Sequence, residues 1–329
     1  MEPWTKVSLR IGSILLLVIL LLLGACSSDE ATSPPASPTT TTTTQELEVS
    51  EFNIIQTAVA EYLTDKAGNM KAADLHMKIA DNAAPYIVSV RSADDYAVGH
   101  IPGAVNVSFA DLDMLPENEE ILLYCYTGQS ASFGAAVLGV LDYDVQNLLH
   151  GMSSWSADPD VYKKRFDSET AQGDFQVETE ANSAGSYSYP VLDNTSFTGE
   201  AAIVEAAAAT VSPKYITAAD LNMKIADNED MTILSVRSAE HYAVGHIPGA
   251  INIGLGTLAD NLNKLDPDAP VYVYCYTGHS AAQAVALLQM LGYDAYSLMF
   301  GMCSWTSDTS VNMDKCFKAA SVGGYAVEQ

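Results

Sequence analysis

After the first fifty residues, short apolar runs alternate with stretches whose apolar residues recur at helical spacing. Residues 72–80 have helical spacing, and residues 86–90 form a short apolar run of the kind found in buried parallel strands. A second such run covers residues 121–124 and is followed by a stretch of small and apolar residues. Strands that alternate with helices predict an α/β fold with a parallel sheet.

The same order of elements returns because the chain contains an internal repeat. The sequence KAADLHMKIAD at 71–81 returns as TAADLNMKIAD at 217–227. Further on, the sequence Cys-Tyr-Thr-Gly occurs twice, beginning at Cys125 and at Cys275. Solenoid units repeat every 20 to 50 residues or so, whereas this repeat is far longer. It therefore indicates a duplicated domain.

The repeat predicts two domains, residues 49–181 and residues 199–329. A linker rich in Gly, Ser, Pro and Asn connects them at 182–198. In each domain a cysteine ends an apolar strand and precedes a predicted helix, at 131–141 and at 281–291. This order places the cysteine loop at the carboxyl end of a parallel sheet, where open α/β folds bind ligands.

The beginning of the chain predicts an export signal. Lys6 and Arg10 precede an apolar run that ends at Gly24-Ala25-Cys26. The run over 11–25 is shorter than the roughly 18 to 20 residues of a transmembrane helix, so a permanent span is the weaker interpretation. The small residues before Cys26 resemble a bacterial lipobox, in which residues 1–25 are removed and Cys26 is lipidated. The alternative is an ordinary cleaved signal, which would leave the protein unanchored.

Residues 26–48 are rich in Ser, Thr and Pro, a composition that predicts an extended tether. We therefore expect a lipid-anchored, extracytoplasmic protein. No Asp directly follows Cys26, which favours the outer membrane, facing the periplasm, if the cell is Gram-negative. With 41 acidic and 15 basic residues, the net charge is −26. This charge makes nucleic acid and anionic lipid surfaces poor partners, so we expect membrane contact through the lipid anchor only.

Two of the cysteines occupy equivalent positions, Cys125 and Cys275, each followed by Tyr-Thr-Gly. The glycine permits a tight turn in which successive N–H groups point at one anionic atom, with a helix N-terminus beneath it. Such an arrangement favours the thiolate form of cysteine. The alternative is a pair of buried structural cysteines at strand ends. An exported protein stabilised by disulfides would normally contain more cysteines than the five in this chain.

The order of motifs in both copies resembles the rhodanese family. The motifs are Val-Arg-Ser-Ala, Gly-His-Ile-Pro-Gly-Ala, Cys-Tyr-Thr-Gly and Gly-Met-x-Ser-Trp. The resemblance implies two tandem rhodanese-like domains, each a central parallel β-sheet flanked by helices. It also implies that Cys125 and Cys275 carry sulfur as persulfides, each surrounded by a loop. The loop residues are Tyr126, Thr127, Gly128, Gln129 and Ser130 in the first copy and Tyr276, Thr277, Gly278, His279 and Ser280 in the second.

The implied reaction is a sulfur transfer without a metal or organic cofactor. A thiolate takes sulfane sulfur from a small donor anion, polysulfide or thiosulfate, and passes it to a thiol, cyanide or sulfite. The main alternative is a sulfur-carrier, sulfur-sensing or partner-binding module without turnover. A dual-specificity phosphatase is disfavoured because Ala131 and Ala281 stand where such an enzyme needs arginine.

Two substitutions depart from the family pattern. Many active single-domain members end the loop with Arg, whereas this chain has Ser130 and Ser280. Thiosulfate is a dianion, and a serine hydroxyl has no positive charge with which to bind it, so we expect inefficient thiosulfate turnover. Ser89 and Ser235 replace the Asp that usually precedes Val-Arg, which predicts an altered contact to that arginine.

Two further side chains carry open interpretations. His279 stands where the first loop has Gln129, and one interpretation is that it tunes Cys275. Cys303 replaces Ser153 and, by the family fold, lies near the second loop. It has two alternatives, a disulfide with Cys316 in an oxidising compartment or an approach to Cys275.

Overall fold

A computed structural model of the chain describes residues 50–65, 67–192 and 198–329. The predicted signal peptide (1–25), the tether (26–48) with its lipidation site Cys26, and part of the linker lie outside these residues. Within the described part, no helix combines the length and the apolar character that crossing a bilayer requires.

The two copies contain the same order of elements. The first copy comprises α1 (Glu51–Thr64), β1 (Asn69–Met70), α2 (Ala72–Ala80), β2 (Tyr86–Ser89), α3 (Ala93–Val98), β3 (Val105–Asn106), a 3-10 helix (Phe109–Met114), β4 (Ile121–Tyr124), α4 (Gln129–Val140), β5 (Val145–Leu148), α5 (Met152–Trp155), α6 (Pro159–Tyr162) and α7 (Ser168–Ala171). The second copy comprises α8 (Glu200–Ala209), β6 (Tyr215–Ile216), α9 (Ala218–Ala226), β7 (Thr232–Ser235), α10 (Ala239–Val244), β8 (Ile251–Asn252), 3-10 helices (Leu255–Thr257 and Leu262–Lys264), β9 (Val271–Tyr274), α11 (His279–Met290), β10 (Ala295–Leu298), α12 (Met302–Trp305), α13 (Thr309–Asn312) and a 3-10 helix (Ala319–Ser321).

Each copy forms a five-stranded parallel sheet. The strand order is β1-β5-β4-β2-β3 in the first copy and β6-β10-β9-β7-β8 in the second. The central strands β4 and β9 are buried along their whole length, as expected for continuous apolar runs covered on both faces. The predicted fold class, two tandem α/β domains with parallel sheets, is confirmed.

Helices α4 and α11 join the two copies through a shared core. Each packs on its own sheet, α4 on β4 and β5 and α11 on β9 and β10, and the two helices pack on each other. Nearly all their residues are small or apolar and buried, which suits a helix that is covered on all sides. Helices α1 and α8 extend the layer, and one apolar cluster continues through all four helices.

A segment that follows the first copy packs on the second copy. We call residues 173–178 the first arm. Within it, the Phe175 N–H donates to Trp305 O at 2.8 Å, and the Trp305 indole N–H donates to Gln176 O at 2.7 Å. Because a buried indole N–H needs an acceptor, the first arm completes the environment of α12. Sequence places this arm in domain 1 (49–181), although these contacts are made to the second copy.

The last residues of the chain make the reciprocal contact, on the first copy. We call residues 323–328 the second arm. Its Tyr325 N–H donates to Trp155 O at 3.0 Å, and the Trp155 indole N–H donates to Ala326 O at 2.9 Å. Glu328 exchanges backbone hydrogen bonds with His100, each of 2.9 Å. Each copy therefore depends on a strand-like segment that the other copy supplies.

Candidate active site

The two loop cysteines follow the central strands directly. Cys125 and Cys275 are each 3% exposed and have free thiols. Gly128 and Gly278 adopt φ of +83° and +87°, a region that glycine enters without steric cost, and so turn the loops into α4 and α11. The Gly128 N–H donates to Cys125 Sγ at 3.1 Å, and the Gly278 N–H donates to Cys275 Sγ at 3.1 Å. Each sulfur thus lies at the N-terminus of a buried helix, where an anion is stabilised.

A second turn supports the first loop from beneath. The Met152 N–H donates to Cys125 O at 2.9 Å, and the Ser153 N–H donates to Tyr126 O at 3.0 Å. Gly151 precedes them at φ +52°, and a Cβ at this position would overlap with Cys125 O. Because these carbonyls face the turn, the following loop N–H groups remain available to the sulfur.

The second loop rests on an equivalent turn. The Met302 N–H donates to Cys275 O at 2.9 Å, and the Cys303 N–H donates to Tyr276 O at 3.0 Å. Gly301 has φ +54°, and a Cβ there would lie 2.6 Å from Cys275 O. The cradle geometry is therefore the same in both copies.

His279 belongs to the second loop, but its ring lies against the first. Its Nε2 is 3.1 Å from Thr127 O and 3.3 Å from the His150 backbone nitrogen, whereas its Nδ1 is 2.8 Å from Thr277 Oγ1. Burial and, to a smaller extent, the neighbouring His150 lower the pKa of His279 to about 3. The imidazole is therefore neutral at physiological pH, so it supplies no cation.

Gln129 makes the reciprocal contact from the first loop. Its Oε1 accepts a hydrogen bond of 3.1 Å from the Phe300 backbone N–H, and its Nε2 donates to Thr127 Oγ1 at 3.3 Å. Phe300 is the equivalent of His150 in the second copy. The two loops consequently interlock, each with one side chain inserted beside the opposite turn.

A comparison of the sequence with family models identifies the domains. The Rhodanese-like domain matches residues 71–158 and 217–308, which together are more than half of the chain. The chain belongs to the rhodanese-like domain family. This confirms the resemblance drawn from the motifs, with two tandem domains.

Several relatives match one rhodanese-like domain. The thiosulfate sulfurtransferase GlpE of Pseudomonas fluorescens is 40% identical over 74 residues, 22% of this chain and 68% of that protein. GlpE of Pseudoalteromonas translucida is 29% identical over 103 residues, 31% of this chain and 97% of that protein. YrkF of Bacillus subtilis, named as a sulfur carrier, is 31% identical over 87 residues, 26% of this chain and only 47% of its own length. A solved rhodanese-like domain protein from Staphylococcus aureus is 34% identical over 29% of this chain and 93% of that chain, with a TM-score of 0.28.

The sixth loop residue of the first rhodanese-like domain contacts the second domain. Ser130 Oγ is 2.8 Å from the phenol oxygen of Tyr215, on strand β6. Burial raises the pKa of Tyr215, and the nearby Cys125 raises it further, so the phenol stays neutral. Sequence analysis missed this tyrosine because the repeat has Asn69 at the equivalent position.

Ser89 and Ser235 stand where the family usually has Asp, so Arg91 and Arg237 have no carboxylate partner at these two positions. Ser89 Oγ accepts from the Arg91 backbone N–H at 3.4 Å, while the Arg91 guanidinium donates to Val161 O at 3.0 Å and Gly99 O at 2.6 Å. Arg237 repeats this pattern beside Ser235 in the second domain. These buried arginines therefore tie backbone segments together, and their guanidiniums lie 5.9 Å and 5.7 Å from the ring centroids of the loop residues Tyr126 and Tyr276.

A narrow cavity lies between the two loops, and the centre of a water-sized molecule has only about 10 Å³ in which to move. Its described lining includes no Asp, Glu, Lys or Arg. The lining residues are Thr127, His150, Ser153, Phe166, Thr277, Phe300, Cys303 and Phe317. Burial lowers the pKa of His150 to about 4, so this ring is also neutral. The lining side chains are therefore neutral and partly aromatic, while Arg165 lies behind them: its guanidinium donates to Ser153 O at 2.7 Å, and its Cζ is 5.3 Å from the Phe317 ring centroid.

Cys303 is joined to Cys316 by a disulfide, with a Cα–Cα distance of 5.4 Å. Of the two alternatives left by the sequence, the structure therefore contains the bond to Cys316. The bond places the next residue, Phe317, beside His150 at a ring-centroid distance of 5.1 Å. The disulfide thus helps to close the cavity between the loops.

Proposed function

We propose that this chain is an extracytoplasmic sulfurtransferase that carries sulfane sulfur as persulfides on Cys125 and Cys275. One observation carries the proposal: each thiol accepts a backbone N–H bond of 3.1 Å at the start of a buried helix. A cradle of this kind suits a thiolate or a persulfide anion and has no role in packing a neutral thiol. The names of the GlpE relatives support the same class of reaction.

In the proposed reaction, the thiolate attacks the outer sulfur of a donor. The donor S–S bond breaks, and sulfite or a shortened polysulfide leaves with the bonding electron pair. The loop N–H groups then hold the persulfide anion. A thiol, cyanide or sulfite attacks the outer persulfide sulfur and restores the thiolate. The step exchanges one bond for another and needs no external oxidant or reductant.

Polysulfide is the proposed preferred donor. The described lining of the shared cavity includes no charged residue, the rings of His150 and the adjacent His279 are neutral, and the chain has a net charge of −26. Thiosulfate is a compact dianion that gains little from neutral donors and is not attracted over distance by an acidic protein. A polysulfide presents less polar sulfur atoms to the aromatic lining.

Persulfide formation tests the proposal directly. Wild-type protein treated with polysulfide should gain a dithiothreitol-labile sulfur on the Cys125 and Cys275 peptides, because both thiols lie in the same cradle. Thiosulfate should label them roughly ten times more slowly, the cost of about one missing charge-assisted hydrogen bond. Peptide mass spectrometry over time measures both rates. Unlabelled loop peptides with either donor would refute the proposal, and equal rates would refute the preference.

A sulfur carrier without turnover is the second candidate, and the burial of the two cysteines, each 3% exposed, favours it. A bulky acceptor cannot reach a persulfide unless the surrounding residues move. The two functions differ in a multiple-turnover assay with polysulfide and cyanide. A sulfurtransferase makes many equivalents of thiocyanate, whereas a carrier stops after about one equivalent per loaded cysteine.

The proposed location depends on lipidation of Cys26. Cys26→Ala should move nearly all of the protein from membranes to the soluble extracytoplasmic fraction, because a lipid on this residue is the proposed anchor. Fractionation followed by immunoblotting measures the distribution, and the Ser27→Ala variant is a matched control that should remain on membranes. Sedimentation of Cys26→Ala with carbonate-washed membranes would instead indicate a retained hydrophobic segment.

A further inference from the structure

The interlocked side chains lie on the residues that hold the sulfur. A Cβ added to Gly128 would lie 2.5 Å from His279 Nε2, and a Cβ added to Gly278 would overlap with Gln129 Oε1. These two glycines donate the N–H bonds to the cysteine sulfurs. Each cradle is thus covered by a side chain from the opposite rhodanese-like domain.

We propose that His279 is a positioning residue for Cys125 and that Gln129 is a positioning residue for Cys275. This inference rests on the proposed function, since it concerns how the two persulfide cradles are held in shape. It assigns each side chain to the site in the domain opposite to its own. The two sites are therefore built as a pair, and neither cradle is complete in an isolated domain.

The contact acts through the turn beneath each loop. His150 and Phe300 begin these turns with φ of +62° and +60°, a region that non-glycine residues rarely adopt. The Phe300 N–H donates to Gln129 Oε1 at 3.1 Å, whereas the His150 nitrogen lies 3.3 Å from His279 Nε2, which donates to the neighbouring Thr127 O. A buried backbone group without a partner is costly, so loss of Gln129 favours a different turn at Phe300, and loss of His279 leaves the Thr127 carbonyl of the first loop without its donor.

A change in the turn reaches the sulfur through two short connections. Met152 and Met302 follow within two residues and donate to the carbonyls of Cys125 and Cys275 at 2.9 Å. If a turn shifts, the cysteine carbonyl loses its partner and the loop N–H groups rotate away from the sulfur. The side chain from the opposite domain therefore sets how well a thiolate or persulfide is stabilised.

Histidine and glutamine bind the opposite domain through different hydrogen bonds. A carbonyl oxygen can only accept, so the His279 Nε2–H donates to Thr127 O of the first loop at 3.1 Å, and its Nδ1 accepts from Thr277 Oγ1 at 2.8 Å. Gln129 donates to Thr127 Oγ1 through Nε2 and accepts from the Phe300 N–H through Oε1. A glutamine amide also has N–H donors, so His279→Gln should preserve the bond to Thr127 O.

The test is a crossover experiment on the full-length chain with its disulfide intact. His279→Ala should slow polysulfide labelling of Cys125 about tenfold and leave Cys275 within about twofold, because one buried hydrogen bond to the first loop is lost. Gln129→Ala should slow Cys275 and spare Cys125. The pH profile of iodoacetamide alkylation, read for each cysteine by peptide mapping, should move to higher pH at the slowed site only. His279→Gln, which can still donate to Thr127 O, should restore both readouts at Cys125.

Gln283→Ala is the matched control. Gln283 also lies on α11, is buried, and donates across the domain boundary to Ala67 O at 3.0 Å, but away from the cradles. The Gln283→Ala variant should lower the melting temperature without making the labelling rates of Cys125 and Cys275 differ. Slowing of the cysteine in the same domain, or equal slowing of both by each alanine variant, would overturn the inference. Absence of labelling in the wild type would instead refute the proposed function itself.

Discussion

Replacing both Cys125 and Cys275 by serine is expected to reduce sulfur transfer to the uncatalysed background. A serine hydroxyl is almost fully protonated at neutral pH and forms no persulfide, so the cradle loses its nucleophile while its backbone remains. The loss of a nucleophile that performs the covalent step typically exceeds roughly a thousandfold. The measurement is the steady-state rate with polysulfide and cyanide for the wild type, both single variants and the double variant.

The two single variants show how much of the sulfur-transfer rate each cysteine contributes. Because the cradles have the same hydrogen bonds, each single variant should retain a substantial part of the rate, between about a third and two thirds if the sites are independent. A Cys303→Ser, Cys316→Ser variant controls for sulfur carried by the remaining cysteines and should keep both loop persulfides. Unchanged turnover in the Cys125→Ser, Cys275→Ser variant would contradict the assignment of both nucleophiles.

Removal of residues 323–329 is expected to destabilise the first domain, although these residues end the second. The deletion takes the acceptor from the Trp155 indole, the backbone partner from His100, and the Tyr325 ring that packs on Trp155 at 4.9 Å. Buried groups left without partners cost about 1 to 3 kcal/mol each, so we expect a loss of roughly 3 to 5 kcal/mol. The melting temperature should fall by about 10 °C.

An exchanged arm differs from a tail that packs on its own domain, because its deletion destabilises the opposite domain. Trp155 ends α5, and the first residues of α5 support the Cys125 loop. Local opening should therefore speed alkylation of Cys125 several-fold and leave Cys275 nearly unchanged. Lys318→Ala is a control outside the arm, since its exposed ion pair with Asp314 contributes little. Faster alkylation of Cys275 alone would show that the arm stabilises its own domain.

The exchanged arms and the interlocked loops both connect the two domains. Helices α4 and α11 bring the two helix N-termini together, and these N-termini carry the sulfur cradles. Any motion that separates the domains would remove His279 from the first loop and Gln129 from the turn at Phe300 at once. A persulfide on either cysteine is therefore expected to depend on the integrity of the pair and not of one domain.

The repeat, the parallel sheets, the cysteine loops and the family could all be predicted from the amino-acid sequence. These features are local: runs of four apolar residues form the central strands, and Gly128 and Gly278 provide the positive φ that the loops require. The predicted helices began at 131 and 281, whereas α4 and α11 begin two residues earlier, at Gln129 and His279. The reason is that the glycine completes the turn, so the next residue is already helical.

The tertiary structure alone decided which side chains complete each site. His279 contacts Thr127 and Gln129 contacts Phe300, pairs that are 152 and 171 residues apart in the chain. Such contacts follow from how two domains pack, and no spacing within one copy encodes them.

The arms were equally invisible in the sequence. Besides the packing of Phe175 and Tyr325 on the two tryptophans, they bind through backbone hydrogen bonds, which any residue except proline can donate, so no pattern in the sequence marks the domain that each arm binds. The choice of Cys316 as the partner of Cys303 also required the fold, because a disulfide depends on the Cα–Cα distance. Local chemistry therefore predicted where the sulfur is held, whereas the packing of two copies decided what holds the cradle in place.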